Sequence, residues 1–273
     1  MTLLIHELER AERRVLGALR CVDATTRVAI EQPILVEITH AKGGARVLRN
    51  RRGLYVISEA PTLEAHSAAF TQPPASPGNG ARRFKATLRD PSSRYLPRLA
   101  DLALPRDADP THAEQPGSLF QPIEIALYPS SAAPVAANWA VLRVSLSDSG
   151  SGAALGGALL RVSKDGAVLA RGITDWRGEA LLPVRGVPVT TWSDAPDAVV
   201  VSEIEVEVEA IFDPARGTRV GAAAVRNGRA PAAPPLVDPD KLEAQRATLP
   251  HTSRSIAIAA RRAQSLSLGL ALP

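Results

Sequence analysis

The residue types that could do chemistry are few and scattered in this sequence. His6-Glu7 begins like the helix of a zinc protease, but Arg10 stands where that motif has its second histidine, four residues after the first. Ser149 and Ser151 lie in the sequence DSGSG, which lacks the G-x-S-x-G order of a nucleophile elbow. We therefore expect no catalytic residue, no cofactor and no metal site, and we predict that the protein is not an enzyme.

Four glutamates, at positions 203, 205, 207 and 209, alternate with apolar residues. Such a row could bind calcium or a basic protein surface, but divalent sites usually gather their carboxylates from a tight loop. Alternation of this kind is typical of a half-buried strand with one face in water. We expect a solvated acidic face, with a basic partner as its functional alternative.

The three tryptophans, Trp139, Trp176 and Trp192, are the remaining candidates for recognition. Trp176 falls in the sequence TDWRG, in which Asp175 and Gly178 suit the first and fourth positions of a type I turn. An exposed indole there could stack on a sugar or anchor a protein contact. It could equally pack over the end of its own domain.

Composition excludes several classes of partner. The 273 residues are 45% hydrophobic but only 4% aromatic, so the core must be built mainly from Ala, Val, Leu and Ile. The net charge is only +4 and the arginines come in small separate groups, which predicts no nucleic-acid binding. A single cysteine excludes an internal disulfide, and no apolar run is long enough for a membrane-spanning helix.

Residues 1–20 are predicted to form an amphipathic N-terminal helix, because Leu4, Leu8 and Val15 recur at helical spacing. The helix could pack on its own domain or dock in the groove of a partner. Glutamates interrupt its apolar stretch, so it does not resemble a secretory signal. We expect the protein to be cytoplasmic at synthesis, which allows later release as part of a particle.

From residue 21 the pattern changes to short alternating runs separated by Gly- and Pro-rich turns, which indicates strands. Residues 21–130 and 131–226 share one plan, each with a closing strand that ends in Asp-Pro. The predicted fold is all-β: two tandem antiparallel β-sandwich units, with the N-terminal helix and a C-terminal extension.

Residues 227–273 are predicted to be a Pro-rich linker and a docking segment. Aliphatic residues alternate near the chain end, at Ile256, Ile258, Leu266, Leu268 and Leu270. A strand of this kind could pair within its own chain or add to the sheet of a neighbouring subunit, where its backbone would supply the hydrogen bonds.

The segment from residue 141 to about residue 189 resembles the carboxypeptidase regulatory-like, transthyretin-like β-sandwich family. The resemblance rests on the strand ALLRV at 158–162 and on the sequence TDWRGEA at 174–180. It implies a transthyretin-like sandwich in residues 131–226. It also implies a non-catalytic accessory, adhesion or assembly module.

The wider layout resembles accessory proteins of phage tails and phage-derived contractile injection particles. The fragments that carry this are RNRRGLY at 49–55, RYLP at 94–97 and NWAV at 138–141. We expect a structural protein that contacts other subunits of a larger assembly, as a homo- or hetero-oligomer. The alternative is a module that binds carbohydrate or a cell surface through exposed tryptophans.

Overall fold

The structure is a computed structural model that describes residues 14–68, 77–188 and 203–272, together with the backbone of 191–192 and 199–200. It is 46% strand and 8% helix, arranged in antiparallel-rich sheets. The all-β, sandwich-type fold predicted from the alternating runs is therefore confirmed.

The strands of the described residues are, in chain order, β1 (Gly17–Asp23), β2 (Leu35–His40), β3 (Gly43–Gly44), β4 (Arg46–Arg49), β5 (Tyr55–Glu59), β6 (Arg82–Arg89), β7 (Arg98–Leu104), β8 (Ile123–Leu127), β9 (Ala140–Asp148), β10 (Ala154–Gly156), β11 (Leu159–Lys164), β12 (Ala167–Ile173), β13 (Glu179–Val184), β14 (Thr191–Trp192), β15 (Val199–Val200), β16 (Glu203–Ile211), β17 (Thr218–Val220), β18 (His251–Ala259) and β19 (Ala263–Leu270). The helices are α1 (Glu64–Ala68), α2 (Ala222–Arg226) and α3 (Pro239–Ala244), with a 3-10 turn at Pro110–His112.

Contacts divide the chain into two compact units that are not consecutive in sequence. Among the described residues, unit 1 comprises 14–20, 36–68, 77–86 and 101–125, and unit 2 comprises 21–35, 87–100, 126–188 and 203–272. This differs from the consecutive ranges 21–130, 131–226 and 227–273 expected from the sequence. The physical reason is that strands pair with segments that are distant in sequence. Changes of composition along the chain show where one segment ends, but they do not show which distant segment it packs against.

The N-terminal sheets have the strand orders β4-β5-β1-β8 and β3-β2-β6-β7. In unit 1 the core is aliphatic and aromatic, and its fully buried members include Leu19, Ile57, Phe84 and Leu104. In β6 and β7 alternate residues are buried, as the pleat of a half-buried sheet requires.

The prediction of an N-terminal helix is wrong for residues 14–20. Residues 17–20 belong to β1, in which Gly17 and Leu19 are buried while Ala18 and Arg20 are less so. Gly17 pairs with Ile57 of β5, and the period of burial is two rather than 3.6. Residues 1–13 of the predicted helix lie outside the described part of the chain.

Two sheets form the sandwich of unit 2. One has the order β13-β9-β10-β17 with β19 paired to the other side of β9, and the second has the order β12-β11-β16-β18. Their facing side chains form one core that contains Leu142, Leu160, Val208 and Phe212. Residues of β18 and β19 join the same core, so the C-terminal segment is part of the sandwich.

The segment that follows the prolines also packs within unit 2. Val237 and Leu242 pack with Leu159 and Ile211 in a separate buried cluster. A short helix, α3, begins at Pro239 and is capped by the side chain of Asp238.

A buried arginine fixes this segment. Arg98 is 1% exposed and its guanidinium donates to Asp240 at 2.6 Å and to the carbonyl oxygens of Ala126 and Leu99 at 2.9 and 3.0 Å. It also lies over the ring of Tyr128. A buried guanidinium is tolerated only where its donors are satisfied, so these bonds tie α3 to β7 and β8.

The turn predicted at Asp175–Gly178 is confirmed. The Gly178 N–H donates to the carbonyl of Asp175 at 2.9 Å, and the Asp175 side chain accepts from the N–H groups of Arg177 and Glu179. Gly178 has a φ of +74°, and a Cβ there would lie 2.4 Å from the carbonyl oxygen of Leu146. Only glycine fits, for reasons of both conformation and space.

We predict that Gly178→Ala lowers the free energy of unfolding by about 3 kcal/mol, because it combines a strained φ with a clash against backbone. Gly166→Ala is the matched control, since Gly166 also has a positive φ, +80°, but nothing within 4 Å of a Cβ. The control should cost only about 1 kcal/mol. Urea denaturation of both variants measures the difference, and equal losses would contradict the clash.

Candidate functional site

The last strand, β19, forms an open edge of the unit 2 sandwich. It runs parallel to β9 along its whole length, from Ala263 beside Val141 to Leu270 beside Asp148. No strand in the described part of the chain pairs with its other side. A sheet edge of this kind leaves a row of backbone N–H and C=O groups available to another chain.

The ladder bonds show which residues of β19 face outward. The carbonyl oxygens of Arg262 and Leu270 accept from the N–H groups of Val141 and Ser149, so even-numbered residues bond to β9. In a parallel pair the alternate residues direct their backbone groups to the opposite side. The outward set is Ala263, Ser265, Ser267 and Gly269, all of which are exposed.

Residues 263–270, with the sequence AQSLSLGL, contain no charged residue and no proline. This edge therefore lacks the charge and proline with which natural sheets often block their edges. It is also eight residues long. An edge of that length and composition is suited to strand addition.

The other edge strands of the described residues all carry such a protection. β13 has Pro183, β3, β14 and β15 are two residues long, and β17 is three. Charged residues occur in the rest: Arg46 and Arg49 in β4, Arg98 and Asp101 in β7, Glu124 in β8, Arg171 in β12 and Arg254 in β18. The absence of protection in β19 is thus a local property of this strand.

The C-terminal residues predicted to contact a partner lie within the chain's own core. Leu266, Leu268 and Leu270 are 2–4% exposed, and Ile258 is 1% exposed. Ile256 is half-buried and packs against the same core. Of the two alternatives for this segment, the structure shows the one in which it pairs within its own chain. The outward face of β19, which sequence reasoning did not single out, is what remains accessible.

The N-terminal candidates fall mostly outside the described residues. Leu4 and Leu8 lie there, while Val15 is described and is 38% exposed. The structure therefore leaves the docking role of this segment as a prediction.

Trp176 is half-buried in the turn before β13. Its neighbour Arg177 donates to Ser131 at 2.7 Å and to Asp175 at 2.9 Å, so the turn is anchored by ion pairing. Trp139 is also half-buried, with the guanidinium of Arg185 over its ring. The side chain of Trp192 lies outside the described residues. The tryptophans whose side chains are described are thus not freely exposed platforms.

The serines of DSGSG serve a structural purpose. Ser151 donates to Asp148 at 2.5 Å, and the N–H of Gly152 closes the loop on the Asp148 carbonyl at 2.8 Å. The hydrogen bonds from the Ser151 hydroxyl and the Gly150 N–H hold the pKa of Asp148 below its usual value. The segment joins β9 to β10, as a hairpin loop does.

The glutamate row of β16 is not uniform. Glu203, Glu205 and Glu207 are exposed, as expected, but Glu209 is 5% exposed. Its carboxylate accepts from Arg161 at 2.7 Å and from Arg246 at 2.8 Å. Burial raises the pKa of Glu209, but the two arginines outweigh burial and the pKa lies below its usual value.

An open groove of about 560 Å3 occurs in unit 1 between β5 and α1. Its charged lining residues are Lys42, Arg46, Glu59 and Glu64. Arg46 and Glu59 form an ion pair at 3.3 Å, so part of this charge is neutralised within the groove itself. The groove brings together none of the residues predicted from the sequence.

Within the described residues no group of three or more His, Cys, Asp or Glu side chains is arranged to hold a metal ion. The helices of that part are too short or too polar to span a membrane. In comparisons with known proteins, no protein-family model and no curated protein matches the chain. The resemblance to carboxypeptidase regulatory-like domains and to phage-tail accessory proteins therefore stays a prediction.

We predict that Glu209→Gln lowers the free energy of unfolding at neutral pH by about 2 kcal/mol, because two charged hydrogen bonds are weakened. A carboxylate with a lowered pKa stabilises the fold above the pKa of the unfolded chain, about 4.3, and this contribution is lost as the pH falls through the folded pKa. The difference from the unaltered protein should therefore shrink as the pH drops below about 4.

Urea denaturation at a series of pH values measures this effect. Glu205→Gln is the matched control, because Glu205 lies on the same strand but is exposed. It should change stability by less than about 0.5 kcal/mol at any of these pH values. A loss at Glu209 that persists unchanged in acid would contradict the ion-pair explanation.

Proposed function

We propose that the protein is a non-enzymatic structural component of a larger assembly, a β-sandwich subunit of a phage-tail-like contractile particle that acts through protein–protein contacts. The observation that carries this proposal is the open edge of β19. A long, uncharged edge favours aggregation in a protein that stays alone, and an assembling protein uses it for a specific contact.

The rest of unit 2 supports an assembly role because it holds this edge rigidly. Each side of β9 is paired, by β13 and β10 on one side and by β19 on the other. Leu266 and Leu268 fix β19 from the core side. An edge held in this way pays little conformational entropy when a further strand is added.

Three acidic side chains among those considered for chemistry are engaged in building the fold, which also supports a structural role. Asp175 and Asp148 hold turns, and Glu209 joins β16 to Arg161 of β11. The sequence fragments that resemble phage-tail accessory proteins indicate the kind of assembly.

The test is purification from the native host of the full chain, with an affinity tag inserted in the exposed turn at Asp165-Gly166 between β11 and β12. We expect sheath, tube or baseplate subunits to co-purify, identified by mass spectrometry, with particles visible by negative-stain electron microscopy. An untagged strain is the control. Recovery of the protein alone, or only with a soluble enzyme, would contradict the proposal.

A further inference from the structure

The outward residues of β19 have nearly the same pattern in both directions. Small residues, Ala263 and Gly269, stand at the ends, and Ser265 and Ser267 stand between them. A contact between identical chains about a two-fold axis needs this property, because each residue meets the position equally far on the other side of the axis. The centre of the pattern is Leu266.

The backbone geometry fits the same arrangement. With the axis beside Leu266, Ser265 of one copy lies opposite Ser267 of the second copy, and Ala263 lies opposite Gly269. These are the residues whose N–H and C=O groups point away from β9. In an antiparallel pair, facing residues that exchange both backbone hydrogen bonds alternate with facing residues that exchange none. In this register Ser265–Ser267 and Ala263–Gly269 are the hydrogen-bonded pairs, so every outward residue has a partner.

The charges also permit self-pairing. Like charges directly opposite each other destabilise an antiparallel pair, and residues 263–270 carry none. The nearest charged residues, Arg261 and Arg262, precede the strand, so the two-fold axis places those of the two copies at opposite ends. Arg262 is moreover paired with Glu203 at 3.1 Å.

We propose that two copies of this chain join through β19, antiparallel about a two-fold axis beside Leu266, so that their two sheets become one continuous sheet. This inference rests on the proposed function, because it names the occupant of the same assembly surface. The small outward side chains leave room for the second strand. The hydroxyl of Ser267 already bonds to that of Ser145 at 3.0 Å, so the backbone groups supply the new hydrogen bonds.

The first test is the mass of the purified full chain by light scattering and sedimentation equilibrium, from low micromolar to submillimolar concentration. We expect twice the 28.8 kDa of one chain. Ser265→Pro should raise the dissociation constant roughly tenfold or more, because it removes an outward N–H and places a ring in the edge. It spares the ladder to β9, to which Ser265 does not donate.

Ser255→Pro is the matched control. Ser255 is an exposed serine on the neighbouring edge strand β18, opposite Glu207 of β16. The Phe212 N–H bonds to the Pro250 carbonyl, so the even-numbered residues of β18 bond to β16 and Ser255 points outward. This variant should dimerise like the unaltered chain. Circular dichroism and urea denaturation verify that both variants fold.

A second test fixes the register. The Cα atoms of facing residues in a hydrogen-bonded antiparallel pair lie about 5.5 Å apart, within reach of a short thiol-to-thiol cross-linker. A mixture of Ser265→Cys and Ser267→Cys chains should therefore be cross-linked into mixed dimers by such a reagent, while each variant alone should be cross-linked much less. The natural Cys21 is buried and should not compete.

A monomer at every concentration would overturn this inference, and so would a dimer that Ser265→Pro leaves intact or that Ser255→Pro dissociates. The proposed function is judged separately, by co-purification from the host. If the purified chain is a monomer but Ser265→Pro abolishes co-purification, β19 binds a different subunit: the assembly role stands and the second copy is excluded. A dimer that captures no particle subunit supports pairing through β19 and contradicts the proposed function.

Discussion

The parallel ladder between β19 and β9 is the interaction on which the rest of unit 2 depends. Without it one side of β9 would be an exposed edge, and the core of the sandwich would lack the side chains of Leu266, Leu268 and Leu270. The chain reaches this position by crossing between the sheets, because β18 pairs with β16 in one sheet and β19 with β9 in the other. The last strands thus close one side of the sandwich and, in doing so, create its open edge.

A second constraint comes from the buried guanidinium of Arg98. Arg98 can remain buried only because Asp240, a ring and two carbonyl oxygens satisfy it. The same contacts hold α3 in place and bring Leu242 onto the sheet. Burial of one charge and packing of the C-terminal segment are therefore coupled, and the segment behaves as part of the domain rather than as a linker.

Features set by local chemistry could be predicted from the sequence. The Asp175–Gly178 turn depends on one side-chain cap and one glycine, and the alternation in residues 203–210 indicates a strand whatever its partner is. The pairing of β19 could not be predicted, because a period of two shows which residues face a core but not which strand lies beside it. The burial of Glu209 was likewise invisible, since Arg161 and Arg246 are distant in sequence.

The predicted helix shows the opposite case, in which a local signal was ambiguous. Val15 and Leu19 are four residues apart, as a helix would have them, but Leu19 also alternates with its neighbours. Pairing with β5 decides in favour of the strand, because long-range hydrogen bonds and burial of Gly17 and Leu19 outweigh helix propensity. Division into non-consecutive units has the same origin.

The central claim is that the outward backbone groups of β19 are paired when the protein is assembled. Hydrogen–deuterium exchange, compared between dilute free protein and the assembled form, tests it most directly. The amides of Ser265 and Ser267 should exchange rapidly in the free chain and become protected on assembly, while those of Leu266 and Leu268, bonded to β9, should be slow in both states. Equal exchange of Ser265 and Ser267 in the two states would contradict the account.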